Sequence, residues 1–597
     1  MPSPVVRVVM GRSVAEPAPV LHPGWTSYTN LNDVRDLTFD RAGNLWAVGL
    51  GGIGRWNVAE GTYTQYTIEH GLPDNRILAV AAAPNGAIWF GTLMGALRFD
   101  GAAWTTYTTA DGLASDRVFS IAAAPDGTLW FATDNGVSRF DGTWTTYTEA
   151  DGLAANAALF IATAADGTVW VGHTLAISRF DGKSWRMREL ASLHEPTDQI
   201  GPITAIVTAP DGALWIGEFY YGAFRLEGQN WTHFPIGGVR SIVVAPDGAL
   251  WFGTNVGVSR FDGETWTTYQ VGDGLAHNIV SSIALAPDGT LWLGTRNGIS
   301  HFDGEQWTTY VIPDGPADNW VLSIAAAPND VLWFGTANGI SRFDGEIWTT
   351  YRAAEYGVHE WLGNAVNPVA AASGGTLWAD TSRDGLLHFD GEEWTGYGDA
   401  GGPADVGCIA EAPDGTFWFC ARGEGVSHFD GEVWTRYTTA DGLADDAVRS
   451  IAVAPDGALW FGTGGGVSRF DGETWTTYED GPLGDGVGPV AVGPAGELWV
   501  GTGSGLARFD GETWVHFDVD DGLVDDRVSD IAVGPAGELW AGTDDGVSRF
   551  DGTTWTSYTT FDGLVNNAIR SIAIDPSGAV WFGTGTGISR YEPSTVP

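Results

Sequence analysis

Ser450–Tyr478 reads SIAVAP-DG-ALWFGT-GGG-VSRF-DGE-TWTTY, and the fold follows from how its breaks are interpreted. Four short runs rich in Ile, Val, Phe, Trp, Thr and Tyr are separated by Gly- and Asp-containing breaks, the pattern of a four-stranded meander. In Ala454-Pro455-Asp456-Gly457-Ala458 the proline suits a type I turn, and Gly457 supplies the positive φ of a bulge, so a tight hairpin is expected. Phe470-Asp471-Gly472 reads as a second tight turn. No stretch shows helical periodicity, and 85 glycines are too many for a helical chain.

Outward from this unit the pattern repeats. An apolar-Trp pair recurs fourteen times between Trp46 and Trp581, with a period of about 41 residues. A second element, read as WTTY, recurs from Trp25 to Trp555, with Tyr63 filling one place. The two series hold 27 of the 30 tryptophans and leave out Trp56, Trp320 and Trp361. A four-strand unit in tandem at this period predicts an all-β chain, a β-propeller of fourteen blades. The N-terminus supplies an outer strand, Trp25–Tyr28, before any inner one, and the last unit stops after its third strand, Ile588–Tyr591. The first strand is therefore expected to complete the fourteenth blade and leave no bare sheet edge.

Composition narrows the function classes. The 597 residues carry 74 acidic and 29 basic side chains, a net charge of −45, with Lys183 the sole lysine. Nucleic acid and anionic lipid are excluded as partners of a basic face. At 17% charged and 44% hydrophobic the chain is not a disordered acidic polymer. Two cysteines exclude a disulfide-stapled scaffold and a Cys-rich zinc module. No run of 18 apolar residues occurs, so no membrane span is expected, and Met1–Pro23 lacks the apolar core of a signal peptide. The net charge favours a soluble monomer.

His70-Gly71-Leu72-Pro73-Asp74-Asn75 through Ala87-Ile88-Trp89-Phe90-Gly91-Thr92 resembles the two-component regulator propeller repeat, with its GLP…GxLWxGT pattern. Asp111-Gly112-Leu113, Asp441-Gly442-Leu443 and Asp521-Gly522-Leu523 match it as well, and the resemblance runs roughly from Trp25 to Tyr591. It implies two seven-bladed rings of the kind found in extracellular sensor parts of hybrid histidine kinases, which often respond to oligosaccharides. The expected organisation is an N-terminal extension over 1–24, blades one to seven over 25–310 and blades eight to fourteen over 311–591, with a tail over 592–597. In this arrangement the chain crosses between rings at Tyr310–Val321 and near Asn30–Val34. A single fourteen-bladed ring explains the absence of a linker equally well.

In a four-stranded blade, the turns between strands one and two and between three and four share one face. The turns between strands two and three share the other with the connections from blade to blade. The first set is nearly uniform here (PDG, FDG) and the second varies, so binding residues are expected on the variable face. The repeat is its own reference. The Thr after Trp-Phe-Gly becomes His173 in copy four and Glu218 in copy five, where Phe219-Tyr220-Tyr221 follow. Long connections carry His194 and Glu195, then Tyr356, His359, Glu360 and Trp361, and Trp320 stands in another. Asp380 with Arg383, and Arg422 with Glu424, vary the second-to-third-strand turns of copies nine and ten. His194, Glu218, Tyr220, Tyr221, Trp320, His359, Trp361, Arg383 and Arg422 are thus the candidate ligand-binding residues, because aromatic faces beside hydrogen-bonding groups suit sugar rings. The alternative for each is a loop packing its own aromatics. The regular tryptophans are read as inter-blade packing.

No nucleophile or metal-spaced partner accompanies any histidine, and neither cofactor nor metal is expected. His301, His388 and His428 stand where SRF has Arg. The DVDDGLVDD run, Asp518–Asp526, lacks EF-hand order and reads as turn carboxylates. The expected function is a non-catalytic, sensor-like propeller that binds a small, carbohydrate-like molecule. The alternatives are an acidic protein-interaction scaffold and an enzyme resembling streptogramin lyases, with His173 or His194 paired to Glu218. Finally, a three-residue hairpin loop at Pro413-Asp414-Gly415 places Cys408 opposite Cys420, with Cα atoms about 4.5–5.5 Å apart; bonding between them is left open.

Overall fold

The computed structural model describes residues 6–9, 11–12 and 24–592, apart from 58, 165, 190–200, 228–229, 312–314, 329, 352–364, 382–384, 398–401 and 484–485. These residues form fourteen sheets, each built on an antiparallel meander of four consecutive strands except the last, and those of blades one and seven gain a fifth, parallel strand at the outer edge. In the eleventh, the strands are Val448–Val453, Leu459–Thr463, Gly466–Phe470 and Trp475–Tyr478. The hairpin between the first two closes as the sequence implies: Ala454 N donates to Ala458 O at 2.8 Å and Gly457 takes φ 87°. Asp456 Oδ1 accepts from Ala458 N at 3.0 Å, which is why Asp precedes that glycine. The fourteenth sheet is completed by the N-terminal strand, with Trp25–Tyr28 antiparallel to Ile588–Tyr591.

The chain divides into two compact units, Met1–Val20 with Leu31–Pro313, and Leu21–Asn30 with Asp314–Pro597. The first unit holds blades one to seven and the second holds blades eight to fourteen. Within the first, the opening strand of each blade lies beside that of the next, and Val280–Leu285 of blade seven lies beside Val34–Phe39 of blade one. Within the second, Ile569–Ile574 of blade fourteen lies beside Val321–Ala326 of blade eight. In each unit the opening strand of the last blade thus lies beside that of the first.

The N-terminal stretch read as an extension also contributes strands. Val6–Val9 runs parallel to Trp307–Val311 at the outer edge of blade seven, and Gly11–Arg12 runs parallel to Thr62–Tyr63 at that of blade one.

The cores lie between blades. Trp89, 1% exposed, packs on Tyr107 of its own blade and on Phe131, Phe140 and Trp144 of the next, at centroid distances of 5.2 to 6.4 Å. Across its blade the Arg of SRF covers the same kind of tryptophan, as Arg260 does at 6.0 Å over Trp251. His301, His388 and His428 replace that guanidinium with an imidazole 4.4, 4.5 and 4.6 Å from Trp292, Trp378 and Trp418, and burial pushes all three below the usual histidine range. Cys408 and Cys420 are directly paired at a Cα separation of 5.0 Å, and their sulfurs are bonded.

Candidate functional site

The two kinds of variable segment meet at one edge of each blade. Gly95 N, in a second-to-third-strand turn, donates to Asp116 O of the following blade connection at 2.6 Å, and Gly425 N donates to Asp446 O at 2.9 Å. The buried serine of SRF pins the same connection, accepting from Ala114 N at 2.8 Å in the case of Ser138. The DGL motif belongs to this edge too. Asp111 accepts from Thr108 N at 2.8 Å, Leu113 is buried, and Gly112 sits at φ 112° where a Cβ would lie 3.0 Å from Trp144.

Most blades cap the variable turn with threonine: Thr92 Oγ1 donates to Gly95 O and accepts from Met94 N, both at 2.9 Å. In blade five (203–234) Glu218 takes that place with a longer arm. Its Oε2 accepts from Tyr220 N at 2.9 Å and from Tyr221 N at 2.5 Å, while Oε1 is buried with no hydrogen-bond partner. Gly201 has to be small, because a Cβ there would lie 1.9 Å from that Oε1. The carboxylate is fully buried, yet it holds Tyr220 out at 63% exposure and Tyr221 at 37%. Phe219 stands edge-on to Tyr220 at 4.9 Å. The Gly237-Gly238 connection presses on the same turn: a Cβ at Gly238 would meet Phe219 O at 1.8 Å. That approach brings Arg240 over the Phe219 ring at 4.6 Å.

Arg240 has charged neighbours outside the candidate set. It is the second residue of its blade's opening strand, at the bulge between Val239 and Ser241. Arg35 occupies the same position in blade one, between Val34 and Asp36. Arg296 lies in the variable turn of blade seven, between these two blades, and that turn is tied to the entry into blade one by Gly298 N to Asn32 O at 2.7 Å. Asp33 is the carboxylate among them; burial raises it above the usual range even though Arg35, Arg296 and Arg240 pull it down. Burial and the other two guanidiniums lower Arg240. The repeat does carry a signal for these residues, since the second position of the opening strand varies as freely as the turns. A reading confined to loops misses it.

The other candidates are distributed differently. Glu218, Tyr220 and Tyr221 belong to the first unit, whereas Trp320 and Arg422 belong to the second. Trp320 is 53% exposed in the connection into blade eight, its N donating to Asp318 Oδ1 at 2.8 Å. Arg422 is exposed and lies 3.6 Å from Asp405. Asp380, read as a turn residue, is instead in the strand Leu377–Thr381, buried at the place other blades give to glycine, and burial pushes it up to about 7. His194, His359, Trp361 and Arg383 lie outside the described residues.

Of the two histidines in the lyase alternative, His194 lies outside the described residues and His173 serves as a cap. His173, 1% exposed, engages Ala157 O and Ser178 Oγ, both at 2.9 Å, and burial lowers its pKa. Asp518, Asp521, Asp525 and Asp526 likewise turn their carboxylates on backbone N–H groups, as in Asp526 Oδ1 with Val519 N at 2.9 Å. Among the described residues no helix is long and apolar enough to cross a membrane.

The family model described as "Two component regulator propeller" matches residues 71–93, 112–135, 274–297, 442–465 and 563–586. No curated protein matches the sequence. Among solved structures, PorZ, a surface component of the type-IX secretion system of Porphyromonas gingivalis, is similar at TM-score 0.70 and 15% identity, over 95% of this chain and 87% of that one. The GH74 xyloglucanase from Xanthomonas campestris is similar at 0.62 and 16%, over 95% and 99%. The extracellular domain of a putative hybrid two component system from B. thetaiotaomicron aligns at 0.40 and 20%, over 94% and 82%. The first two likenesses concern the fold alone. At these five stretches the chain matches the repeat of the two component regulator propeller family.

Proposed function

We propose that the chain is a non-catalytic, sensor-like propeller that recognises a small, carbohydrate-like molecule on its variable face. The observation that carries this reading is the blade-five turn. A fully buried carboxylate, Glu218, is committed to two backbone N–H groups, and the result is an aromatic ring, Tyr220, held largely in solvent. Ordering an exposed ring costs conformational freedom, and a flat apolar face beside hydrogen-bonding groups is what a sugar ring stacks on. The family match supports the sensor part of the reading. A glycan array probed with the full chain tests it. Binding is expected to be lost in Tyr220→Ala and kept in Tyr220→Phe. An array with no bound glycan, or binding unchanged in Tyr220→Ala, contradicts it.

A further inference from the structure

We infer that Arg35, Arg240 and Arg296 form an oxyanion-binding site on the variable face of the first unit, so that the ligand is a small acidic molecule, a saccharide carrying a carboxylate or sulfate. The inference deepens the ligand-binding reading and rests on it for the saccharide, though not for the charge.

Topology brings the three together. Blades six, seven and one follow one another in the closed set, Arg240 and Arg35 take equivalent bulge positions in the outer two, and Arg296 stands in the variable turn of the middle one. The second position aims along the same edge wherever its contacts are seen. Thr204 Oγ1 donates to Val239 O of the next blade at 2.6 Å, Ser529 Oγ to Ile569 O at 2.7 Å, and Arg449 Nη1 to Val487 O at 3.3 Å.

Elsewhere at this edge several arginines are paired with carboxylates. Arg117 lies 3.7 Å from Asp134, Arg527 and Arg570 lie 3.5 and 3.7 Å from Asp544, and Arg422 lies 3.6 Å from Asp405. Among the described residues no carboxylate stands within 4.0 Å of Arg35, Arg240 or Arg296. Arg240 Nε is buried without a hydrogen-bond partner, its guanidinium resting on Phe219 instead. One carboxylate, Asp33, faces three guanidiniums, and burial raises its pKa against their pull.

A chain of net charge −45 has no shortage of acids to pair with them. Three guanidiniums left in mutual repulsion are a standing cost that a bound anion removes. Planar, always-charged guanidiniums are also the group best matched to a two-oxygen anion. Phe219 and Tyr220 beside them supply a surface for the ring that carries it.

Calorimetric titration of the full chain with glucuronate, inorganic sulfate and glucose tests the inference. Glucuronate is expected to bind, glucose not to bind at the same concentrations, and Arg296→Met and Arg240→Met each to weaken glucuronate about tenfold or more. Arg296 lies in an exposed turn, so its variant reads binding apart from folding. Sulfate binding that depends on both arginines, without glucuronate binding, keeps the oxyanion site and removes the saccharide. Glucose bound as tightly as glucuronate, or either anion bound unchanged in both variants, overturns the site while leaving the sugar reading in place. No binding of any of the three overturns the site, and the glycan array then decides the sugar reading separately.

Discussion

Ser282 Oγ donates a 2.8 Å hydrogen bond to Asp36 Oδ1, joining the last blade of the first unit to its first across 246 residues of chain. Asp36 Oδ2 meanwhile accepts from Val80 N of blade two at 2.9 Å. Five other blades use a serine at the third position of the opening strand as the acceptor from the next blade, as Ser241 does for Ile283 N at 3.1 Å and Ser571 for Ile324 N at 3.0 Å. At Asp36 and Asp530 the acceptor is a carboxylate instead, and Asp530 accepts from Ile572 N at 2.6 Å.

Burial raises Asp36 from 3.8 to about 6 and Asp530 to about 7. A carboxyl whose folded pKa lies above its unfolded one favours the fold below the unfolded value, and that advantage is lost as pH rises through the folded value. Asp36→Ser and Asp530→Ser are therefore expected to be more stable than the parent above pH ~7, by about 1–3 kcal/mol, with the gain fading by pH ~4. Urea unfolding at several pH values checks this; a gain independent of pH, or none, contradicts it.

Closure of the second unit depends on two aromatics of its borrowed strand. Trp25 contacts Tyr591 at 4.8 Å, and Tyr28 stacks on Trp581 at 5.5 Å and meets Phe343 of blade eight at the same distance. Trp25→Ala with Tyr28→Ala is expected to weaken that seam by about 3 kcal/mol or more. Amide exchange should speed up in Ile588–Tyr591 and stay unchanged in Trp307–Val311, at the corresponding seam of the first unit. Equal acceleration in both segments contradicts the assignment of the strand.

Glu218 and His173 replace a threonine cap, so returning each to threonine is expected to leave the melting temperature within a few degrees. Glu218→Ala and His173→Ala, which leave turn N–H or serine groups without partners, should each cost about 1–2 kcal/mol. In Glu218→Thr the shorter arm no longer spans Tyr220 N and Tyr221 N together, and ligand affinity should fall while stability holds. Thermal melts paired with glycan binding separate the two effects.

The three histidines that stand on tryptophans give an acid-sensitive component. Burial depresses each of them, so their contribution is present above the ordinary histidine range and is lost as pH falls through the folded value. His301→Arg, His388→Arg and His428→Arg restore the residue used in the other blades. Together they are expected to flatten the stability profile below about pH 6.5. An unchanged slope would mean the imidazoles remain solvated.

Much of the fold is legible in the sequence because the repeat supplies local rules. Pro, Asp and Gly at fixed offsets set the hairpin register closely enough to pair Cys408 with Cys420. Trp25–Tyr28, an outer strand with no inner strand ahead of it, fills the place left open beside Ile588–Tyr591. The variable face is legible from which turns stay constant. What stays hidden depends on closure. The repeat aligns Arg35 with Arg240, but only the contact of blade seven with blade one brings both beside Arg296. Asp380 reads as a turn residue because Ser382 and Arg383 follow it, while the ladder runs on through Thr381. Val6–Val9 carries no repeat signature, so its parallel pairing with Trp307–Val311 has no precedent in the pattern.

Recognition on the variable face is decided by hydrogen–deuterium exchange of the full chain with and without saturating glucuronate. Protection is expected at the blade-five turn, residues 218–221, and at Gly237–Arg240, with the Pro-Asp-Gly hairpins such as 210–212 and 246–248 unchanged. Protection confined to those hairpins, on the opposite edge of the blades, would contradict it.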